Sequence, residues 1–364
     1  MILKRIYRKI TFFFVFSFSV GLYAADPHAV PIIDIHSLLQ SDSKPSDWQA
    51  TMHSIDVALR SYGFFLVTGH DFSKSSIDEA MQAAYTLFDI DIEKKMSVEA
   101  TGGGFMRGYI GLGKESGLES YYEPKEGYSY GYSWPNRSQC SFGNMLQGHN
   151  KWPEGYSSQN EQLLQDVFTY SNKIAEYIVS GISQYFEREF GQSMSLVLDD
   201  GDTISIMRLF HYFSTDTAFQ GNLVNGKRVI GSSPHTDWGL LTVILQEEDV
   251  GGLQVLHEGT WIDIPSVSGS LVVNGGDFLQ IASQGRYKSP IHRVLSPVNK
   301  ERMSFVYFYY PNYYTPFNTQ QLCREGNSEE YNTLTVSNCR EGDEKRVFGD
   351  YILHKWKGVF RDQV

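Results

Sequence analysis

The chain has 364 residues, 41% of them hydrophobic and 14% aromatic with 12 prolines, which supplies a sizeable core and excludes a disordered or fibrous polymer. Its formal net charge of -11 leaves no global basic field, so nucleic acid is not an expected partner, although a local basic pocket for a small anion is compatible with it.

At the N-terminus, Lys4, Arg5, Arg8 and Lys9 precede an apolar run from Ile10 to Tyr23, and Ala24-Ala25 follows with polar sequence beyond. That order reads as a secretory leader over residues 1–25. The run falls short of the roughly 18 apolar residues of a spanning helix. Cleavage, export to a periplasm or the exterior, and no stable membrane insertion afterwards are therefore expected, with a cytoplasmic chain as the alternative. Cys140, Cys323 and Cys339 are odd in number and define no disulfide framework. Cys323 and Cys339 suit pairing in an oxidising compartment, and all three suit free thiols in a reducing one. Asn136-Arg137-Ser138 is a sequon that matters only in a eukaryotic secretory route.

Val30 to Ile35 reads as a short strand, and Trp48, Met52, Ile55 and Leu59 share one face of a helix that ends near Gly63. Phe64 to Val67 reads as a buried strand. A capping box of Ser76 and Glu79 predicts a second helix starting at Ser76, with Ala80, Ala84 and Leu87 facing inward. Gly102 to Pro153 reads as loops and short strands, and its Gly102-Gly103-Gly104 run opens no phosphate-binding helix. A long amphipathic helix is predicted over Glu161 to Phe190. Short strands follow at Thr203–Phe213, Leu240–Gln246, Leu253–Leu256, Leu271–Asn274, Phe278–Ala282 and Arg302–Tyr310, a pattern of sandwiches and barrels. The acidic stretch Thr315 to Glu344 reads as a solvated loop rather than a lid, and Val347 to Phe360 as a terminal helix with Phe348, Tyr351, Ile352 and Trp356 inward.

Within the β region, Ser233-Pro234-His235-Thr236-Asp237-Trp238-Gly239 sets a histidine and a carboxylate two apart. On a strand both face one side, with Thr236 and Trp238 turned away. His292, in Ser289-Pro290-Ile291-His292-Arg293-Val294, is the candidate third ligand. Two histidines and one carboxylate on one face of iron leave the opposite positions open for a cosubstrate and dioxygen. Arg302-Met303-Ser304 is a second pair spaced two apart, and its guanidinium fork and hydroxyl match a carboxylate. A lone histidine in such a segment is more often a hydrogen-bonded core residue; the weight lies in the combination.

Asp237-Trp238-Gly239-Leu240-Leu241-Thr242 through Gly251-Gly252-Leu253-Gln254-Val255, and Val272-Val273-Asn274-Gly275-Gly276-Asp277 through His292-Arg293-Val294, resemble the isopenicillin N synthase-like family of iron(II)/2-oxoglutarate-dependent oxygenases. Val30-Pro31-Ile32-Ile33-Asp34, Tyr62-Gly63-Phe64-Phe65, Arg107-Gly108-Tyr109 and Lys125-Glu126 extend the resemblance toward the N-terminus. It implies an α+β fold with a double-stranded β-helix (jelly roll) core flanked by helices and an N-terminal mixed α/β region. The expected division is 26–150 for that region, 160–315 for the core, and 316–364 for a C-terminal insertion and helix. By position it assigns Fe(II) to His235, Asp237 and His292, the distal carboxylate of 2-oxoglutarate to Arg302 and Ser304, and a further contact with the cosubstrate to Tyr212, with O2 as oxidant and a small-molecule substrate. A buried tyrosine with a satisfied hydroxyl is the plainer reading of Tyr212. Phe210 and Phe213 stand where relatives often carry asparagine and proline. No separate general acid or base is assigned.

The same triad suits an oxidase that does not use 2-oxoglutarate, of the isopenicillin N synthase type, or an ethylene/succinate-forming enzyme. A zinc hydrolase would leave the Arg302-Ser304 pair without purpose. A non-catalytic ligand-binding module would be expected to have lost a ligand or the clamp.

Overall fold

A computed structural model of the chain describes residues 30–100, 107–116, 118–133, 146–191, 194, 204–215, 223–317 and 346–359. The leader, the glycine run at 102–104, the sequon, the three cysteines and most of the acidic 315–344 stretch lie outside them. No helix among the described residues is long and apolar enough to cross a membrane.

An eight-stranded sheet carries the fold, in the spatial order Ile32–Asp34, Phe64–Thr68, Leu271–Gly275, Leu241–Gln246, Arg302–Tyr309, Ile206–Tyr212, Lys125–Gly131, Gly108–Ile110. A four-stranded sheet, Thr260–Asp263, Leu253–His257, His292–Val294, Ser232–His235, faces its middle. Strand alternation divides the apolar residues between two cores. Phe64, Leu66, Phe210, Ile244 and Val272 point toward the smaller sheet and pack with Leu253, Val255 and Val294. Their neighbours Phe65, Val67, Leu209, Val243 and Val273 point the other way, onto the helices. With both faces covered, the central strands read as continuous apolar runs instead of alternating ones.

The helical layer is Pro45–Ser61, Lys74–Phe88 and Ser158–Phe190. The last is opened by the Ser157 hydroxyl, which accepts from the Asn160 amide, and is closed by Gly191 at φ 64°. Two expectations are corrected. The Lys74–Phe88 helix is capped by Ser73, whose hydroxyl accepts from the Ser76 amide, so the helix begins two residues before Ser76 and the cap is not a Ser76–Glu79 box. The segment expected as a strand at Phe278–Ala282 is a helix, Asp277–Ala282. Its first amides are taken by distant carbonyls, Asp277 by Asp237 at 2.8 Å and Phe278 by Gly239 at 3.1 Å. The helix thus starts on a tertiary cap that no local periodicity reveals.

Candidate active site

His235 ends the Ser232–His235 strand, and the register places it directly opposite His292 on the neighbouring strand. Asp237 lies two residues on, just past the strand end, held there because its carbonyl caps the 277–282 helix. The chain then turns at Gly239, where a Cβ would meet the Tyr310 ring at 2.6 Å and the Tyr309 carbonyl at 2.7 Å. Only glycine fits that approach.

The ligand atoms of His235, Asp237 and His292 all fall within 4.8 Å of one another. Each Nε2 faces Asp237 Oδ1, at 3.8 Å from His235 and 3.7 Å from His292. Each Nδ1 donates to a backbone carbonyl, of Ser233 at 2.7 Å and of Pro290 at 3.1 Å, which fixes the tautomer and leaves Nε2 as an acceptor. The other carboxylate oxygen, Oδ2, accepts from Thr242 Oγ1 and Asn274 Nδ2, both at 2.6 Å, so Oδ1 alone is turned to the histidines. Burial and the neighbouring His235 push His292 down to about 4, keeping its imidazole neutral at physiological pH. Burial pushes the Asp237 carboxyl up, but the two histidines and its hydrogen bonds outweigh that and leave it below the usual carboxylate range. Two imidazoles and one carboxylate, each oriented from behind, are a divalent-metal donor set.

Arg302 and Ser304 occupy one face of the Arg302–Tyr309 strand, and Arg302 is in register with Tyr212 on the next. The Arg302 guanidinium lies 5.0 Å from the centre of the Tyr212 ring. It is almost wholly buried and donates to Gln246 Oε1 at 3.3 Å, while its Nε and Nη1, and Ser304 Oγ, have no hydrogen-bond partner among the described residues. Burial holds the Arg302 pKa below its ordinary value. A buried guanidinium and a hydroxyl with unmet bonds, two residues apart on one face, suit a bidentate anion. The residues present therefore fit both the metal and a dicarboxylate.

A cavity of about 110 Å³ opens onto His235, Asp237 and His292. Tyr212, Val306 and Phe308 line it; Arg302 and Ser304 continue the same strand face beyond its lining. Trp238 and Thr236, expected to turn away from the metal, line the cavity too, because Asp237 sits beyond the strand and strict alternation no longer applies. Three groups of lining residues escaped the sequence reading as site residues. Glu115, Glu123 and Lys125 enter from the N-terminal region, Arg208 from the Ile206–Tyr212 strand, and Trp356 from the terminal helix. Lys125 stood inside the Lys125-Glu126 match and Arg208 inside the expected Thr203–Phe213 strand, where a charge within an apolar run was the available signal.

A model of the 2OG-Fe(II) oxygenase superfamily matches residues 197–311, and one of the non-haem dioxygenase N-terminal region, named for morphine synthesis, matches 30–155. The chain is 32% identical over 324 residues to a homoarginine-6-hydroxylase of Glycine max, covering 84% of this chain and 93% of that one. It is 28% identical over 291 residues to a 2-oxoglutarate-dependent dioxygenase of Aspergillus niger, covering 77% and 84%. In structure it is similar to a full-length Neurospora crassa protein crystallised in complex with alpha-KG, with a TM-score of 0.70 at 22% identity over 91% of this chain and 97% of that one. It is also similar to a 2OG-Fe(II) oxygenase family protein from Caulobacter crescentus, with a TM-score of 0.68 at 22% identity over 91% and 99%. These solved neighbours bear out the jelly-roll fold. With donor set and relatives in agreement, the chain belongs to the 2OG-Fe(II) oxygenase superfamily and is an iron(II)- and 2-oxoglutarate-dependent dioxygenase.

Proposed function

We propose that His235, Asp237 and His292 hold the iron, that Arg302, Ser304 and Tyr212 hold the distal carboxylate of 2-oxoglutarate, and that a small organic molecule is oxidised in the adjoining cavity. The carrying observation is the Asp237 carboxylate, one oxygen saturated by Thr242 and Asn274 and the other facing two histidines. Iron(II) and 2-oxoglutarate supply the dioxygen activation, the keto acid leaving as succinate and carbon dioxide. The protein's share is placement. The backbone carbonyls of Ser233 and Pro290 keep the Nδ1 protons on the far side of both rings. The Arg302 fork and Ser304 hydroxyl fix the cosubstrate from one end, and the aromatic rings of Phe210, Trp238, Phe308 and Trp356 limit water around the reacting centre.

Anaerobic titration of the purified chain with iron(II) and 2-oxoglutarate tests this reading. A weak visible charge-transfer band is expected in the wild type, and Arg302→Ala should need at least tenfold more 2-oxoglutarate to produce it. Iron binding with no band would contradict the assigned clamp, and no iron binding would contradict the assigned ligands. Several relatives are named homoarginine-6-hydroxylases, and a solved neighbour was crystallised with thymine, which supports small polar molecules as the compounds to assay first. The basic, then apolar, then Ala-Ala leader supports export. N-terminal sequencing of the chain recovered from its source is expected to begin after Ala24 or Ala25, and an intact Met1 in a cytoplasmic fraction would refute this.

A further inference from the structure

The chamber wall carries four charged groups that neither the iron ligands nor the 2-oxoglutarate clamp requires. Arg208 grips Glu115 with both terminal nitrogens, at 2.6 and 2.7 Å, and its Nε reaches Ser129 Oγ at 3.2 Å. Lys125 Nζ meets Glu123 and the Gly231 carbonyl, and Glu123 also accepts from the Ser233 amide at 2.9 Å. Burial pushes the Glu115 carboxyl up, but the charges of Arg208 and Lys125 outweigh it and leave it below the usual range. Burial pushes the Lys125 amine down, but Glu123 and Glu115 outweigh that and leave it raised. Both therefore stay ionised at neutral pH.

Buried ion pairs give little net stability over apolar packing of the same volume, so folding alone is a poor reason for two salt-bridged acid–base pairs among Phe210, Trp238, Phe308 and Tyr310. Their effect on a ligand is selective. An apolar guest would strip water from all four without return. A guest with one charge would draw one partner from its pair and leave the other unpaired. A guest with both signs satisfies both partners at once.

Of the two pairs, Glu115–Arg208 has the more accessible and less tied carboxylate. The Glu115 side chain is 13% exposed against 2% for Glu123, and Glu123 is further held by the Ser233 amide. The Arg208 guanidinium stands 5.0 Å from the ring centres of both Phe210 and Trp356, which keep its positive charge at the chamber wall for a ligand carboxylate.

We propose that Glu115 and Arg208 are the specificity-determining pair of the chamber, and that the substrate is a small dipolar molecule whose ammonium or guanidinium group meets Glu115 and whose carboxylate meets Arg208. This rests on the chamber being the substrate site of the dioxygenase described above.

The test is calorimetric titration, without oxygen, of the protein loaded with iron(II) and 2-oxoglutarate. The probes are L-ornithine, L-lysine, L-arginine and the arginine homologue longer by one methylene, set against agmatine and cadaverine without a carboxylate, hexanoate without a cation, and uncharged thymine. At least one dipolar probe is expected to bind tenfold or more tightly than every other class. Glu115→Gln, and the neutral pair Glu115→Gln with Arg208→Gln, should abolish that preference while the far-UV spectrum and the visible band persist. Dipolar probes that bind no better than the rest, or a preference that survives in a folded variant, would overturn the proposal. A wild-type protein with no visible band fails before any probe is added and removes the dioxygenase reading as well; a normal band without dipolar preference removes this proposal alone.

Discussion

Asn274 contributes one hydrogen bond, yet its place behind Asp237 lets that bond orient a carboxylate of the proposed iron ligand set. It is fully buried and donates to Asp237 Oδ2, sharing that oxygen with Thr242. Asn274→Ala leaves one donor to orient the carboxylate, and the iron dissociation constant is expected to rise by about 10- to 100-fold, measured by chelator competition. An unchanged constant would show that Thr242 suffices. On the opposite face of the same region, His211 donates from Nδ1 to Glu126 at 2.9 Å and from Nε2 to Glu301 at 3.0 Å. Burial lowers its pKa, the two carboxylates raise it by more, and the net direction is up. A group raised on folding stabilises fully below its unfolded pKa, about 6.5, and loses that contribution as pH climbs through the raised folded value. Urea unfolding should therefore show wild type losing stability relative to His211→Gln as the pH rises from about 6 to above neutrality. Parallel profiles would show that the imidazole carries no such charge. The ligand triad was legible because its members sit in short motifs, whereas Asn274 was visible only as part of the resemblance, 37 residues from the carboxylate it orients.

Two helices show how elements depend on their ends and docking faces. Ser73 satisfies the Ser76 amide at 3.1 Å, so Ser73→Ala is expected to cost about 1 kcal/mol of unfolding free energy, the usual value of a lost N-cap. Ser76 offered the same sequence pattern one turn too late, because the capping rule sees candidate residue types and the backbone decides which is extended. The terminal helix Phe348–Val359 docks Phe348 edge-on against Phe278 at 5.1 Å and Trp356 edge-on against Trp238 at 5.2 Å. Its amphipathic face was readable from spacing, but its destination was not. Ile352, fully buried in this interface, should when changed to Ala weaken docking by roughly 2–5 kcal/mol. Hydrogen exchange across 348–359 is the measurement; faster exchange confined to this helix is expected, and unchanged protection would mean that the helix is held by other contacts.

Across the whole molecule, the main sheet interleaves distant parts of the chain. Ile32–Asp34, Phe64–Thr68, Gly108–Ile110 and Lys125–Gly131 pair into the same sheet as the strands that follow residue 200. No hydrogen-bonded boundary separates the two regions, so calorimetry is expected to give one cooperative transition, and two resolved transitions would refute the shared sheet as the stabilising unit. By itself the sequence determined the amphipathic helices, most of the strands, the His-x-Asp and distal histidine, and the Arg-x-Ser pair, because each rests on backbone periodicity or on a short motif. The tertiary structure alone decided that Glu115 meets Arg208 across 93 residues, that the Ser233 amide meets Glu123 across 110, and that Trp356 reaches the chamber. Those partnerships depend on sheet register and on where a helix docks, which are set by the packing of two cores at once and leave no repeating mark on the local sequence.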